Sequence, residues 1–283
     1  MKNIILLALF SLIGKFGFTQ TIGVFGDKIS TFKRIENIKQ SSGRILIDGN
    51  KSGTGFYVSS DGIIVTNWHV VFNESTKIDS TGKILSKFNF VNYKNDTIPL
   101  SIFINISNDA IVKEAFIWDY CVLKANVKNN SFLKLGNFSD SYEGATVYTC
   151  GFPLDLNQPL ISSGIISTLF SQSINKVDRN VAWLDMTKNK GNSGGALVLL
   201  ADKPENDSVI GLTSFITTPY FETINNLNKY ISGIEKGGGV ELMGINFLQY
   251  AKLINNTVNS NSVGISGCIS IEKVNILLNR YNK

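Results

Sequence analysis

Apolar residues along this chain occur in short runs that are separated by turn-forming residues. Many short apolar runs punctuated in this way predict an all-β sandwich or barrel, and no alternation of strands with helices is evident. Ser59–Gly62 predicts a hairpin turn, because Asp-Gly supplies the positive φ angles of a tight turn. The runs read GRILIDG, GTGFYVSSDGIIVTNWHVV, IPLSIFINIS, AFIWDYCVLKA, ATVYTCGFP, LISSGIIST, VAWLDM, GGALVLL, SVIGLTSFI and ELMGINF.

Helical periodicity is present only late in the chain, at residues 247–254 and 271–278. The segment between them, 255–267, is rich in Gly, Ser and Asn, which indicates a linker or loop. The polar stretch 126–130 predicts a boundary between two β units.

The first twenty residues have the layout of a signal peptide. Lys2 precedes an apolar run at residues 4–13, and Lys15 ends that run. A membrane-spanning helix needs about 20 apolar residues, so a stable membrane anchor is disfavoured. We expect cleavage near Gln20 and a periplasmic or extracellular protein; a buried N-terminal helix or strand is the alternative.

Charge and cysteine content exclude several classes of function. The net charge of +5 is spread without a Lys/Arg run, so nucleic acid is not an expected partner. Cys121, Cys150 and Cys268 are too far apart for a metal or redox pair. Cys121 and Cys150 are expected to be small buried side chains, and the sequence leaves a single disulfide open. With a single histidine in the chain, we expect no metal and no cofactor.

His69 and Ser193 are the candidates for chemistry. His69 ends the apolar run GIIVTNWHVV, and Ser193 lies within Gly-Asn-Ser-Gly-Gly at 191–195. Glycines allow a sharp turn that exposes backbone N–H groups close to a reacting oxygen. This sequence also fits the G-x-S-x-G elbow of α/β-hydrolases, but there the histidine follows the serine and a helix follows the elbow. Here the histidine comes first and a predicted strand follows.

An acidic residue between His69 and Ser193 would complete a His-Asp-Ser order. Asp119 is the best candidate, because it interrupts the apolar run AFIWDYCVLKA and a buried carboxylate needs a partner. A structural residue at a strand end is the alternative for Asp119. Asp96 and Asp109 lie in polar surroundings and are expected to be solvated.

These motifs, in this order and at these spacings, resemble the trypsin-like serine proteases and, within them, the HtrA/Deg branch. The resemblance extends from about Gly43 to Ile254. It implies an all-β fold of two six-stranded antiparallel β-barrels with the triad between them. We therefore expect a signal peptide at 1–20, an N-terminal barrel at 21–128, a C-terminal barrel at 129–255, and a C-terminal linker and helix at 256–283.

Two departures from the family change the expected regulation. The residues after the last predicted strand are too few for a PDZ domain, so gating by such a domain is not expected. Asn192 precedes the nucleophile where trypsin has the aspartate that pairs with a newly freed N-terminus, so activation by that ion pair is not expected.

The resemblance also assigns roles to individual residues. His69, Asp119 and Ser193 would hydrolyse peptide bonds of protein or peptide substrates, and the N–H groups of Gly191 and Ser193 would form the oxyanion hole. Thr187 would lie in the primary specificity pocket. The strand Thr213, Ser214 and Phe215 would form its wall and pair with the substrate backbone.

Substrate preference follows less directly from these positions. None of them is acidic, which disfavours a preference for Lys or Arg, and the second histidine of glutamyl endopeptidases is missing. We expect small or medium apolar side chains to be selected. Lys188 and Lys190 are interpreted as solvated loop charges, with a preference for acidic side chains as the alternative.

Two other functions remain open from the sequence. The chain could be a protease-fold binding or regulatory module with a misaligned triad, or an esterase that uses the same triad. A monomer and a trimer are equally compatible with the sequence.

Overall fold

The computed structural model describes residues 28–153, 156–216, 229, 231–233, 241–242, 245–246, 248–249 and 264–281. Within them the chain forms two closed barrels, each of six strands, and ends in a helix. This confirms the predicted all-β class and double-barrel architecture.

The first barrel follows a helix, α1, that covers residues 28–41. Its strands are β1 (Ser42–Ile47), β2 (Asn50–Tyr57), β3 (Ile63–Thr66), β4 (Phe88–Asn92), β5 (Thr97–Ile102) and β6 (Cys121–Ala125). They pair antiparallel in the closed order β1-β2-β3-β6-β5-β4. Two helices lie in the connections: α2 (Trp68–Val71) after β3, and α3 (Asp109–Ile117) before β6.

The second barrel is built the same way. Its strands are β7 (Thr146–Gly151), β8 (Leu160–Ile174), β9 (Val177–Asp185), β10 (Ala196–Leu199), β11 (Ser208–Ile216) and β14 (Ile265–Ser270), in the closed order β10-β11-β14-β9-β8-β7. A two-residue pair, β12 (Glu241–Leu242) and β13 (Ile245–Asn246), stands apart, and helix α4 (Glu272–Tyr281) follows β14. Short 3-10 turns lie at Phe138–Asp140 and Pro204–Asn206.

The two barrels share one apolar cluster. Fully buried residues of the first barrel, such as Ile64 and Leu123, belong to the same contact cluster as Val198, Leu212 and Ile269 of the second. A smaller cluster around Ile166, Leu184 and Leu197 fills the second barrel. Because packing at native density resists sliding, the shared cluster fixes the relative position of the loops that the two barrels present to each other.

The end of the second barrel differs from the prediction. We expected the barrel to stop at residue 255 and a linker and helix to follow, whereas β14 pairs with both β9 and β11 and closes the barrel. Of the Gly and Ser residues that suggested a linker, Ser266 and Gly267 are buried in the barrel wall, where small side chains allow close packing. The helix predicted at 271–278 is found as α4. The predicted helix at 247–254 and the signal peptide at 1–20 lie largely or wholly outside the described residues.

A second difference concerns the run AFIWDYCVLKA, which we predicted as one strand. Its first residues belong to α3, and only the second half is strand β6. Helix α3 begins after Asn108, whose side-chain oxygen accepts hydrogen bonds from the N–H groups of Ala110 and Ile111. Asp109, predicted to be a loop residue, is therefore the first residue of a capped helix.

Candidate active site

The candidate catalytic residues lie at the ends of elements from both barrels. His69 is in α2, immediately after β3 of the first barrel, and Asp119 lies between α3 and β6. Ser193 is in the loop that leads into β10 of the second barrel. The fold thus brings together residues that are distant in sequence.

His69 and Asp119 form a short hydrogen-bonded pair. The distance from His69 Nδ1 is 2.9 Å to Asp119 Oδ2 and 3.0 Å to Oδ1, and the backbone N–H of His69 also donates to Oδ1 at 3.1 Å. A carboxylate oxygen accepts, so His69 Nδ1 is the donor in this pair. The side chain of Asp119 is 13% exposed and that of His69 is 48% exposed. The buried carboxylate of Asp119 therefore orients the imidazole ring, while the ring itself is open to solvent.

The position of Asp119 is set by its backbone as well as by its side chain. Its φ angle is +45°, in the left-handed region that Asp tolerates better than most residues. The side-chain amide of Asn67 donates to the Asp119 carbonyl at 2.8 Å. Ser214 Oγ donates to Asp119 Oδ2 at 2.5 Å. Asn67 thus fixes the backbone of Asp119 and Ser214 fixes its carboxylate, and together they set the direction in which the carboxylate faces His69.

Ser193 lies in a turn that depends on glycine. Gly191 has φ +97° and Gly194 has φ +84°, and a Cβ on Gly194 would come within 2.2 Å of Thr54 O and Thr66 Oγ1. The N–H of Asn192 closes the turn by donating to Asn189 O at 3.1 Å. Neither Gly191 N–H nor Ser193 N–H donates to another described residue, so both donors are available beside the serine. These two N–H groups are the oxyanion hole predicted from the sequence, and that assignment stays a prediction.

Thr54, which the sequence reasoning did not single out, supports this turn from the first barrel. Its N–H donates to Ser193 O at 2.8 Å, and its hydroxyl donates to Gly191 O at 2.7 Å. The same hydroxyl accepts from Phe152 N–H at 3.2 Å. Thr54 is fully buried and lies between two glycines in GTGF, and that pattern is the only local signal for its role.

Ser214 connects the serine to the Asp119–His69 pair. Ser193 Oγ donates to the Ser214 carbonyl at 3.2 Å, while the Ser214 hydroxyl is bound to Asp119. The Ser193 hydroxyl has no hydrogen bond to His69 in the described part of the chain. Catalytic hydrogen bonds are often absent or long without substrate, and rotation about one side-chain bond would redirect this hydroxyl.

The residues predicted to bind substrate are found in different environments. Thr187 is exposed, whereas Thr213 is fully buried and donates its hydroxyl to Asn192 O at 2.7 Å. Ser214 directs its hydroxyl at Asp119, and Phe215 pairs with Gly267 of β14. Of these residues, Thr213 and Ser214 support the catalytic loop and the carboxylate through their side chains.

The interpretation of Lys188 as a solvated loop charge is wrong. Its side chain turns inward and only 2% of the residue is exposed, whereas Lys190 is exposed as expected. Desolvation by burial lowers the pKa of Lys188 to about 7. The local sequence could not show this, because the inward direction depends on how the segment packs against β14.

The three cysteines are free and buried, and burial was predicted from the sequence for Cys121 and Cys150. Burial raises the pKa of Cys150 and Cys268 to about 12 and also raises the pKa of Cys121, so the thiols are protonated near neutral pH. In the described ranges no three acidic, cysteine or histidine side chains cluster as metal ligands would. No helix in those ranges has the length and apolar character needed to span a membrane.

Comparisons with known proteins show which proteins this chain is similar to. Human serine protease HTRA4 is 31% identical over 175 residues, which cover 59% of this chain and 31% of that protein. The probable periplasmic serine endoprotease DegP-like of Halomonas elongata is 32% identical over 166 residues, covering 59% of this chain and 30% of that protein. The chain thus spans less than a third of the length of these relatives.

Structural similarity extends over more of the chain. The structure of the HtrA-type protease AlgW with tripeptide matches 84% of this chain and 59% of that chain, with a TM-score of 0.53 and 16% identity. At that identity the match concerns the fold alone. The family model of the trypsin-like peptidase domain matches residues 53–212, which is more than half of the sequence. The chain therefore belongs to the family of trypsin-like peptidase domains.

Proposed function

We propose that this protein is a serine endopeptidase that hydrolyses peptide bonds of protein or peptide substrates with His69, Asp119 and Ser193. The single observation that carries this proposal is the contact chain through Ser214. Its hydroxyl binds Asp119, which orients His69, and its carbonyl binds the Ser193 hydroxyl. Family membership and relatives named serine proteases support the same reaction.

The reaction would proceed in two stages. Ser193 Oγ attacks the substrate carbonyl while His69 Nε2 takes its proton, and the N–H groups of Gly191 and Ser193 stabilise the resulting oxyanion. The C–N bond then breaks as His69 returns the proton to the leaving amine. Water attacks the acyl-enzyme in the same way and releases the second product. Asp119 stays ionised and stabilises the charged imidazole.

Labelling with a fluorophosphonate probe tests this assignment. We expect the probe to modify Ser193 in the wild type, and no label at this position in Ser193→Ala. His69→Ala should slow labelling by about 100-fold or more, since general-base catalysis contributes roughly 10²- to 10⁴-fold. Asp119→Asn should also slow it, because the amide favours the wrong imidazole tautomer.

Ser141 supplies the matched control, because it lies at the end of the 3-10 turn before β7. The Ser141→Ala variant should be labelled like the wild type. Full labelling of His69→Ala would contradict the triad. A wild type that is not labelled would favour a binding module with a misaligned triad, and turnover of short-chain esters without peptides would favour an esterase.

We also propose that the protein is exported to the periplasm or the extracellular space. The Lys2, apolar and Lys15 layout of the first residues supports export, as does a relative named periplasmic. N-terminal sequencing of protein recovered from the periplasm or medium should place the mature terminus near residue 20. Recovery of the full-length chain from the cytoplasm alone would contradict export.

A further inference from the structure

We infer that Arg179 of the second barrel is a positioning residue for Asp119, because it holds the end of the helix from which Asp119 extends. This inference rests on the proposed peptidase function, in which Asp119 orients His69. Arg179 lies in β9 and is not one of the residues that the sequence predicted for the site. Its contacts connect the β8–β9 hairpin of the second barrel to α3 of the first.

The conformation of Asp119 is set by the way in which α3 ends. The N–H of Asp119 donates to Phe116 O at 3.2 Å. The N–H of Tyr120 reaches one residue further back and donates to Ala115 O at 3.0 Å. These two bonds and the positive φ angle of Asp119 form a Schellman motif, in which Asp119 takes the left-handed position that glycine commonly occupies. The direction in which Asp119 faces His69 therefore depends on where the end of α3 is held.

Arg179 binds the last carbonyl of this helix. Ile117 is the final residue of α3, and among the described residues its carbonyl accepts no backbone N–H. Arg179 Nη1 donates to Ile117 O at 2.7 Å. A cation at the C-terminus of a helix is also favoured by the helix dipole. Because Ile117 is buried and precedes Asp119 by only two residues, this bond holds the turn that carries the carboxylate.

The guanidinium group of Arg179 is itself fixed by its neighbour in the sheet. Gln172 lies directly opposite Arg179 in the β8–β9 ladder. Its side-chain oxygen accepts from Arg179 Nε at 3.0 Å and from Nη2 at 2.7 Å. Two donors of a planar group are thus bound to one acceptor, which leaves Nη1 directed at Ile117. The arginine is held by its own barrel where it reaches across to the other.

The charge of Arg179 also acts on Asp119. Burial lowers the pKa of Arg179, and the negative charge of Asp119 acts in the opposite direction. Because a guanidinium stays protonated in proteins, a permanent cation lies within electrostatic range of the carboxylate. This attraction adds to the bond with Ile117, and both act on the same turn.

A second cation contacts the same helix and provides a matched control. Lys273 of α4 forms an ion pair with Glu114 at 3.0 Å, and its ammonium lies 5.3 Å from the centre of the Trp118 ring. These contacts involve side chains of α3 and of the residue that follows it, whereas Arg179 binds the backbone beside Asp119. Loss of Lys273 should therefore lower stability without moving the carboxylate.

The single histidine of the chain makes the effect on Asp119 measurable by NMR spectroscopy. In untagged protein labelled with nitrogen-15 histidine, the proton on Nδ1 that is bound to Asp119 gives a downfield signal that reports His69 alone. We expect Arg179→Met to move this signal upfield and to broaden it, because a longer hydrogen bond deshields the proton less. Lys273→Met should leave the signal in place.

Labelling kinetics with a fluorophosphonate provide the second measurement. In Arg179→Met the maximal rate of labelling of Ser193 should fall at least about tenfold with little change in the probe concentration that gives half of this rate, because Arg179 acts through Asp119 and not on the probe. Arg179→Lys retains the charge and should restore part of the rate. Gln172→Leu, which releases the guanidinium group on its own barrel, should show the same changes as Arg179→Met to a smaller extent.

The outcomes separate the role of Arg179 from the function. A folded Arg179→Met with an unchanged His69 signal and labelling rate overturns the inference, and so do equal changes in Arg179→Met and Lys273→Met. If Arg179→Met does not fold, Gln172→Leu decides, and an unchanged signal and rate in that variant overturn the inference. A wild type that is not labelled contradicts the peptidase function, whereas the His69 signal still tests whether Arg179 positions Asp119.

Discussion

At the scale of single residues, two positions show how backbone conformation limits which amino acids the candidate site tolerates. Asp119 and Gly194 both have positive φ angles, of +45° and +84°. At Asp119 the left-handed conformation is retained because its carbonyl is bound by Asn67 and its N–H donates to Phe116 O at 3.2 Å. A non-glycine residue in this region costs of order 1–3 kcal/mol and persists where surrounding contacts determine its conformation.

Gly194 has a second constraint, which a matched pair of alanine substitutions can isolate. Gly49 has nearly the same φ angle, +86°, but nothing lies within 4 Å of a Cβ placed there. Gly49→Ala should therefore show the conformational cost alone, about 1–2 kcal/mol. Gly194→Ala adds a clash with the backbone oxygen of Thr54 and should lower the free energy of unfolding by several kcal/mol. Denaturant titration of both variants measures the difference.

Serine labelling extends this comparison to the site. Gly49→Ala should label like the wild type, and Gly194→Ala should label far more slowly, because the clash displaces the turn that holds Ser193. If both substitutions lower the free energy of unfolding by the same amount, the close approach of Thr54 to Gly194 has no energetic consequence.

At the scale of elements, the sequence predicted the strands that carry its motifs. The Asp-Gly turn between β2 and β3, and the strand that follows GNSGG, were readable because turn chemistry and apolar runs are local signals. Closure into two six-stranded barrels followed from the family resemblance rather than from periodicity. The strands and their closure into two barrels are confirmed by the observed strand order.

Elements defined by tertiary packing were not predicted correctly. β14 reads as a linker because Gly and Ser weaken a strand in isolation, and only its pairing with β9 and β11 makes it one. The inward turn of Lys188 has the same origin, since Met186 is bound to Gly264 and Ser266 of that region. Single-residue propensities contain no information on such partners.

At the scale of the whole molecule, the loop that carries Ser193 in the second barrel is held by a residue of the first. Thr54 of β2 binds the carbonyls of Ser193 and Gly191 and accepts from Phe152. Apolar contacts alone would position the two barrels relative to each other. They would not orient the peptide groups around Ser193, because apolar contacts have no preferred direction. These directional contacts make the geometry of the Ser193 loop dependent on the first barrel.

Substitution of Thr54 tests this dependence on the first barrel. Thr54→Val keeps the shape of the side chain but leaves Gly191 O and Phe152 N–H without their hydroxyl partner, at a cost of about 1–3 kcal/mol in stability. If the hydroxyl orients the peptide groups around Ser193, kcat should fall at least about tenfold with little change in KM, since the loss concerns the transition state. Thr54→Ser retains the hydroxyl and should keep most of kcat. Equal losses in the two variants would assign the effect to the methyl group and its packing, and unchanged kinetics in Thr54→Val would mean that the second barrel orients the loop unaided.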